Sequence, residues 1–162
     1  MHVNKAEIRH IETILQIINR SNSKAYKKII PIEYFQEPVL TLDKLLEDFH
    51  EMTFYICQEG TSVAGVAALR VVHDEMGQIR WVYVTPERQR RGVGTCLMDH
   101  IETEAKNMGL KKLTIPYVHE KAYWARNFYQ KLHYRMVERR SRPWGDDVVY
   151  QKSLTGTDPI HS

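Results

Sequence analysis

Apolar positions recur along the chain with two periods, and the change from one to the other marks out its elements. After a short strand near Val3, Ile8, Ile11, Leu15 and Ile18 fall three or four residues apart, which predicts a helix over 7–21. Residues 24–38 read as irregular, with Pro31 and Pro38 around Tyr34 and Phe35. Leu42, Leu45, Leu46 and Phe49 resume the helical spacing behind Thr41, a residue suited to capping a first turn, so a second helix is expected over 42–50. The period then shortens. Residues 53–58 are aromatic and β-branched, Gln58-Glu59-Gly60-Thr61 reads as a hairpin turn, and 62–72 make a second strand. Gly65, Ala67 and Ala68 keep that strand small on both faces, which suits a central place under packed helices.

A turn over Asp74–Gly77 leads to a strand over 78–84 that Pro86 stops. Strict alternation puts Ile79, Trp81 and Tyr83 on one face and Arg80, Val82 and Val84 on the other. Leu97, Met98, Ile101, Ala105 and Met108 form the apolar face of a long helix, with Gly109 as its stop. Residues 113–118 make a strand, and Ala125, Phe128, Tyr129 and Leu132 mark a short helix. Two strands, 134–140 and 147–154, close the pattern around a Pro-Trp-Gly turn. The order is β-α-α-β-β-β-α-β-α-β-β. Its central strand–helix–strand unit requires at least one parallel pair, so the fold is a mixed α/β one.

Composition narrows this picture. A chain of 162 residues, 43% of them hydrophobic, fits one domain over 1–154 with a polar tail over 155–162. No stretch is long and apolar enough to span a membrane, and Met1–Lys5 do not read as an apolar leader, so a cytoplasmic protein without a membrane partner is expected. Cys57 and Cys96 form no spacing motif and are expected as reduced thiols. The eight histidines lack metal-ligand spacing, so no metal is expected. A net charge of +3 does not by itself call for nucleic acid. Without a groove-reading helix or a stacking platform, no nucleic-acid partner is expected either.

The chemistry lies in Gln89-Arg90-Arg91-Gly92-Val93-Gly94, between a strand and a long helix. A loop entering a helix presents unpaired backbone N–H groups at the positive end of the helix dipole. Gly92 and Gly94 let backbone come close to a phosphate, and Arg88, Arg90 and Arg91 add positive charge. A diphosphate suits such a site. The P-loop pattern is absent, and the dinucleotide fingerprint fails because Leu97 stands at its third glycine and seven residues separate Val84 from Gly92.

Gln89-x-x-Gly92-x-Gly94 resembles the acetyl-coenzyme A signature of the GNAT superfamily, (Q/R)-x-x-G-x-(G/A). Ala125-Arg126-Asn127-Phe128-Tyr129-Gln130-Lys131-Leu132-His133-Tyr134 resembles its second signature, A-x-x-F-Y-x-K-x-G-F. The two lie about 35 residues apart with a strand between them. The resemblance implies the GNAT fold from Val3 to about Leu154. That fold is a central, largely antiparallel sheet of about seven strands, splayed between the fourth and fifth and flanked by about four helices. It implies an N-acetyltransferase using acetyl-CoA as cosubstrate, with direct attack by a primary amine. Backbone amides of Gln89, Arg90, Arg91, Gly92, Val93, Gly94 and Thr95 are implied to hold the pyrophosphate. Val82, Tyr83 and Val84 are implied to run beside the pantetheine arm, with Ala122 and Phe128 as further cofactor contacts. Tyr129 matches the tyrosine that protonates the departing thiolate in many members.

The chain departs from the superfamily at three places. His133 stands at the glycine of the second signature, a position usually in a left-handed turn. Ala122 replaces an asparagine that contacts the cofactor in many members. Gln78 stands where lysine-modifying members carry a glutamate base. Glu33 and Glu37, beside Tyr34 and Phe35, are therefore candidates for accepting the amine's proton and favour a small cationic acceptor. His119 and Glu120 are further candidates. Members of the superfamily acetylate polyamines, aminoglycosides, amino acids, other small amines and protein N-termini. A protein N-terminal acetyltransferase and a non-catalytic CoA-binding sensor or scaffold are the alternative readings. Homodimers are common in the superfamily, which makes a second copy of the chain a candidate partner.

Overall fold

The computed structural model describes residues 1–73 and 75–155. Asp74 of the expected turn and residues 156–162 of the expected tail lie outside the described residues. The elements are β1 (His2–Lys5), α1 (Ile11–Tyr26), α2 (Leu42–Glu51), β2 (Thr53–Glu59), β3 (Ser62–His73), β4 (Met76–Val84), α3 (Val93–Asn107), β5 (Lys112–His119), α4 (Tyr123–Lys131), β6 (Arg135–Arg140) and β7 (Asp147–Ser153). The strands form one sheet in the order β1-β2-β3-β4-β5-β7-β6. All neighbouring pairs are antiparallel except β4 with β5. That exception is the parallel pair required by the β4–α3–β5 crossover.

The sheet carries a core on each face. On one, α3 buries Val93, Leu97, Met98, Ile101 and Ala105 against Tyr55, Leu69, Ile79 and Leu113. On the other, Ile14, Ile17 and Ile18 of α1 and Leu45 of α2 cover Phe54, Ile56, Val66 and Ala68. Full burial of a Leu, Ile or Met side chain stabilises by roughly 1.5–3 kcal/mol, so these two layers hold the helices in place. The small residues of β3 make room for helices on both sides: Ala64 and Ala67 face α3, and Ala68 faces α1. Thr41 caps α2, its side-chain oxygen accepting from the Lys44 N–H at 3.2 Å.

Two sequence expectations need correcting. The first helix reaches Tyr26 rather than residue 21. Its last turns bury Ser21 and Asn22, and polar residues on the inner face hide the apolar period there. The Tyr83 hydroxyl donates to Asn22 Oδ1 at 2.9 Å. The second correction concerns β4, which does not alternate strictly. Ala68 pairs with Arg80 and Val66 with Tyr83, so Ala67 faces two residues, Trp81 and Val82. Trp81 has a φ of 55°. This β-bulge turns Trp81 and Tyr83 toward α1, while Ile79, Val82 and Val84 share the α3 face. Arg80, opposite Ala68, belongs with Trp81 and not with Val82.

Candidate active site

The parallel pairing of β4 with β5 covers only Met76–Gln78 against Lys112–Thr114. Beyond it the strands part. Both are irregular where they separate: β4 carries the bulge at Trp81. The β5–β7 register shifts between Ile115 and Val118, a gap that holds Pro116, which has no N–H to donate. From Ile79 onward, the edge of β4 turned toward β5 lacks a strand partner. A cleft of about 860 Å³ fills the opening, lined by β4, β5, the end of α1, the start of α3 and one side of α4.

The phosphate-binding expectation rests on the head of this cleft. A short 3-10 turn, Pro86–Arg88, leads into the loop. Gly92 is the N-cap of α3, with a φ of 83° and no side-chain cap. That left-handed conformation costs any residue with a Cβ of the order of 1–2 kcal/mol. The first helical backbone bond is donated by Cys96 to the Gly92 carbonyl at 3.0 Å. The backbone N–H groups of residues 89–95 find no acceptor among the described residues. Seven consecutive donors thus gather at the positive end of a helix dipole. Gly94 lies under the Phe128 ring, where an added Cβ would sit 3.0 Å from Cζ. The ring therefore presses the helix start against α4 and forms part of the cleft wall.

The other expected residues divide. Val82, Tyr83, Val84, Gln89, Arg90, Gly92, Val93, Gly94, Thr95, Phe128 and Tyr129 all line the cleft. Arg91 points away from the lining and pairs with Glu59 at 3.8 Å. Ala122 is fully buried at the N-terminus of α4 and is not among the lining residues. Glu33 and Glu37 are exposed and outside the cleft; Glu37 is hydrogen-bonded to Ser23 and lies 3.9 Å from Lys27. The structure therefore does not bring either glutamate to the reacting end. His119 is also placed elsewhere. Its Nδ1 accepts from the Lys121 N–H at 3.1 Å and its Nε2 donates to the Trp144 carbonyl at 2.9 Å, so both nitrogens serve the fold. Glu120 accepts from the Asp146 N–H and pairs with Arg139 at 3.1 Å. Arg140 and Arg142 pair with Glu138 and Asp147.

Tyr129 is 6% exposed and packs against Phe128, Tyr134 and Tyr150, with ring centroids 5.3–6.2 Å apart. Burial, with a smaller effect from Tyr26, pushes its phenol above the ordinary value. His133 has a φ of 72°, so the left-handed turn expected there is present without glycine.

Residues that the sequence reading did not single out complete the cleft. Ser21, Ala25 and Tyr26 come from the last turns of α1, beyond the expected end of that helix. Arg80, Tyr117, Trp124, Asn127 and Lys131 also line it. Tyr26 and Trp124 face each other with ring centroids 5.6 Å apart. Only the length of α1 and the bulge in β4 reveal these neighbours, and neither leaves a periodic signal.

A sheet split at its parallel pair, with a donor-lined helix start at one end of the opening, defines a mixed α/β protein built for a long, anionic ligand. Residues 12–134 match the model of the Acetyltransferase (GNAT) family, and the chain belongs to that family. It is 31% identical over 64 residues to the uncharacterized N-acetyltransferase YedL of Escherichia coli (strain K12), a match spanning 40% of each chain. The match thus spans about two fifths of that curated relative's length. Among solved structures, the PaiA N-acetyltransferase of Thermoplasma acidophilum, in complex with coenzyme A, superposes with a TM-score of 0.81. The alignment covers 94% of this chain and 98% of that one at 19% identity. The ribosomal-protein-S18-alanine N-acetyltransferase of Escherichia coli superposes with a TM-score of 0.78 at 16% identity, covering 97% and 96% of the two chains. These structural likenesses show a shared fold. No described helix is long and apolar enough to cross a membrane.

Proposed function

We propose that the protein is an N-acetyltransferase that passes an acetyl group from acetyl-CoA to a primary amine, with both substrates in the cleft together. The observation that carries this reading is the run of backbone donors at residues 89–95, which have no acceptor among the described residues and stand at the head of the cleft. A pyrophosphate supplies the oxygens that such donors lack, and Arg88 and Arg90 line the same end. The unpaired edge of β4 over Val82–Val84 fits the amides of a pantetheine arm laid beside it as an extra strand. Family membership and the coenzyme A complex of the PaiA enzyme support the same ligand. Ala122 has no part in the site, and Arg91 contributes its backbone N–H but not its side chain, which pairs with Glu59.

The bound thioester supplies the acetyl group: as the amine nitrogen bonds to the acyl carbon, the C–S bond breaks and the thiolate takes up a proton. Tyr129 gives that proton. Burial keeps its phenol protonated well beyond neutral pH, so it serves as a donor and not as a base. No Asp, Glu or His lines the cleft among the described residues. The amine's own proton therefore leaves to water at the open mouth of the cleft.

Calorimetric titration with acetyl-CoA and CoA, followed by a panel of amines with thiol release as readout, tests the reading. Binding of both ligands with thiol release on at least one amine is the expected result. Failure of either ligand to bind overturns the assignment of the loop. Binding without release on any small amine or peptide leaves a CoA-holding module and overturns the enzymatic reading.

A further inference from the structure

The half of the cleft on the α1 side holds a cation that the proposed acetyl transfer does not use. Arg80 is partly buried where β4 and β5 part, on the face it shares with Trp81. Its guanidinium carbon lies 4.8 Å from the centroid of the Tyr117 ring and 5.6 Å from that of Trp81. Both contacts fix a planar cation against aromatic faces. The Trp81 ring is itself held, its indole N–H donating to the buried Asp48 Oδ2 at 2.9 Å. Among the described residues, the only polar contact of the Arg80 side chain is with a neutral group, Gln78 Oε1, at 3.4 Å. No described carboxylate lies within ion-pair distance of it. Of the other cations nearby, Arg20, Arg88 and Arg91 are each paired to a glutamate, while Arg90 and Lys131 of the lining, like Arg80, have no described carboxylate partner.

Charge along the cleft points the same way. Its lining contains Arg80, Arg88, Arg90 and Lys131, and no described Asp or Glu. Arg88 and Arg90 belong to the loop before α3, at the proposed phosphate end, whereas Arg80 lies on β4 before the bulge. Glu33 and Glu37, which favoured a cationic acceptor from the sequence, are not in the cleft.

We propose that Arg80 binds the carboxylate of the acceptor, and that the acceptor is an amino acid or a similar small amino carboxylate. This proposal rests on the acetyltransferase reading of the same cleft. A carboxylate matches the bidentate fork of a guanidinium held against two aromatic rings. Anchored there, the acceptor directs its amine toward the strand edge at Val82, and the Tyr26–Trp124 pair offers an aromatic wall for its side chain. Transfer forms one N–C bond to the acetyl carbon and breaks one C–S bond. The amine proton goes to water and the Tyr129 proton to sulfur, so N-acetyl amino acid and CoA leave.

The test is a set of matched acceptors: each common amino acid, its carboxamide and its decarboxylated amine, assayed for thiol release with the full chain and acetyl-CoA. At least one amino acid is expected to exceed both of its matched partners in kcat/KM by about 100-fold, since a site built around a charged partner rejects analogues that lack it. In Arg80→Ala that ratio is expected to collapse toward one, mainly through KM, with Arg80→Lys in between. Acetyl-CoA titration of each variant reports whether the cleft persists. Equal turnover of the carboxylate-free partners by the wild-type chain overturns the proposal while leaving the acetyltransferase reading in place. Turnover of peptide N-termini in preference to every free amino acid does the same. If no acceptor releases thiol, amino acids are titrated calorimetrically into the CoA-loaded wild type and Arg80→Ala. Binding lost in the variant supports the carboxylate site independently of catalysis, and binding equal in both, or absent from both, overturns it.

Discussion

At the scale of single residues, conformation and burial decide what the chemistry-bearing groups can do. Gly92 is required by its backbone, which is left-handed at the N-cap of α3, and Gly94 by the Phe128 ring above it. Both were legible as glycines of a phosphate loop, but the ring contact was not. Tyr129 was legible from its motif, and the structure adds that it is buried with a raised phenol pKa. Tyr129→Phe is expected to lower kcat by about 10²-fold with little change in acetyl-CoA affinity, since proton delivery typically contributes 10²–10⁴-fold. Because the working form is the neutral phenol, the loss should be constant from pH 7 to pH 9. A wild-type rate that climbs through that range while the Phe variant's does not would make the residue a base and overturn its role as the donor. Glu33 and Glu37 illustrate the opposite case: acidic residues beside aromatics in sequence do not share a site, because the segment that carries them lies outside the cleft.

At the scale of elements, the bulge in β4 arranges the site. One extra residue at Trp81–Val82 reverses the strand's faces beyond it, so that Val84 joins Ile79 on the α3 face while Trp81 and Tyr83 turn to α1. The sequence 78–84 reads as an ideal alternating strand, and a bulge leaves no mark on such a pattern. What holds it is tertiary: Asp48 on α2, 1% exposed, accepts from the Trp81 indole and pairs with Lys44 at 3.2 Å. Asp48→Ala is expected to destabilise the fold by about 2 kcal/mol, the cost of a partly buried indole N–H left without its acceptor. The urea midpoint measures this, and Asp48→Asn, which keeps an acceptor oxygen, should recover most of it. The turn after α4 makes a second element-scale case. His133 occupies a left-handed position with a φ of 72°. His133→Gly is expected to raise stability by up to about 1 kcal/mol, the relief of left-handed strain less the added freedom of the unfolded chain. An unchanged or lower thermal midpoint would show that the histidine side chain contributes more than its backbone costs.

At the scale of the whole molecule, the α3-side core and the cleft wall hold tyrosines whose ionisation opposes folding. Burial raises Tyr26 to about 12 and lifts Tyr129 further. Burial and then the charge of Glu102 lift Tyr134, whose hydroxyl donates to that carboxylate at 2.9 Å. Raised values in the native state mean that the unfolded chain loses these protons first. The stability they contribute is complete below about pH 10 and drains away as pH climbs toward the folded values. With three such groups the slope approaches about 4 kcal/mol per pH unit above the ordinary tyrosine value, each contributing about 1.4. The urea midpoint is expected to hold steady to pH 9 and fall steeply between pH 10 and 11. A midpoint flat across that interval would mean that water reaches these phenols.

Much of this molecule was legible in one dimension. Periodicity marked β2 to β7 and the helices α1 to α4 to within about five residues, because side chains repeat every two residues on a strand and every 3.6 on a helix. The crossover from β4 through α3 required a parallel pair, and the glycine-bearing loop between them announced an anion site through backbone chemistry that belongs to any helix start. What the linear pattern could not contain was distance. The end of α1, the bulge, the split between β4 and β5 and the pairing of Arg80 with two aromatic rings depend on residues tens of positions apart. Only packing of α1 and α2 on one face and α3 and α4 on the other brings them together. The proposed phosphate site was therefore written in a contiguous segment, whereas the proposed acceptor site exists only once the sheet has folded and opened.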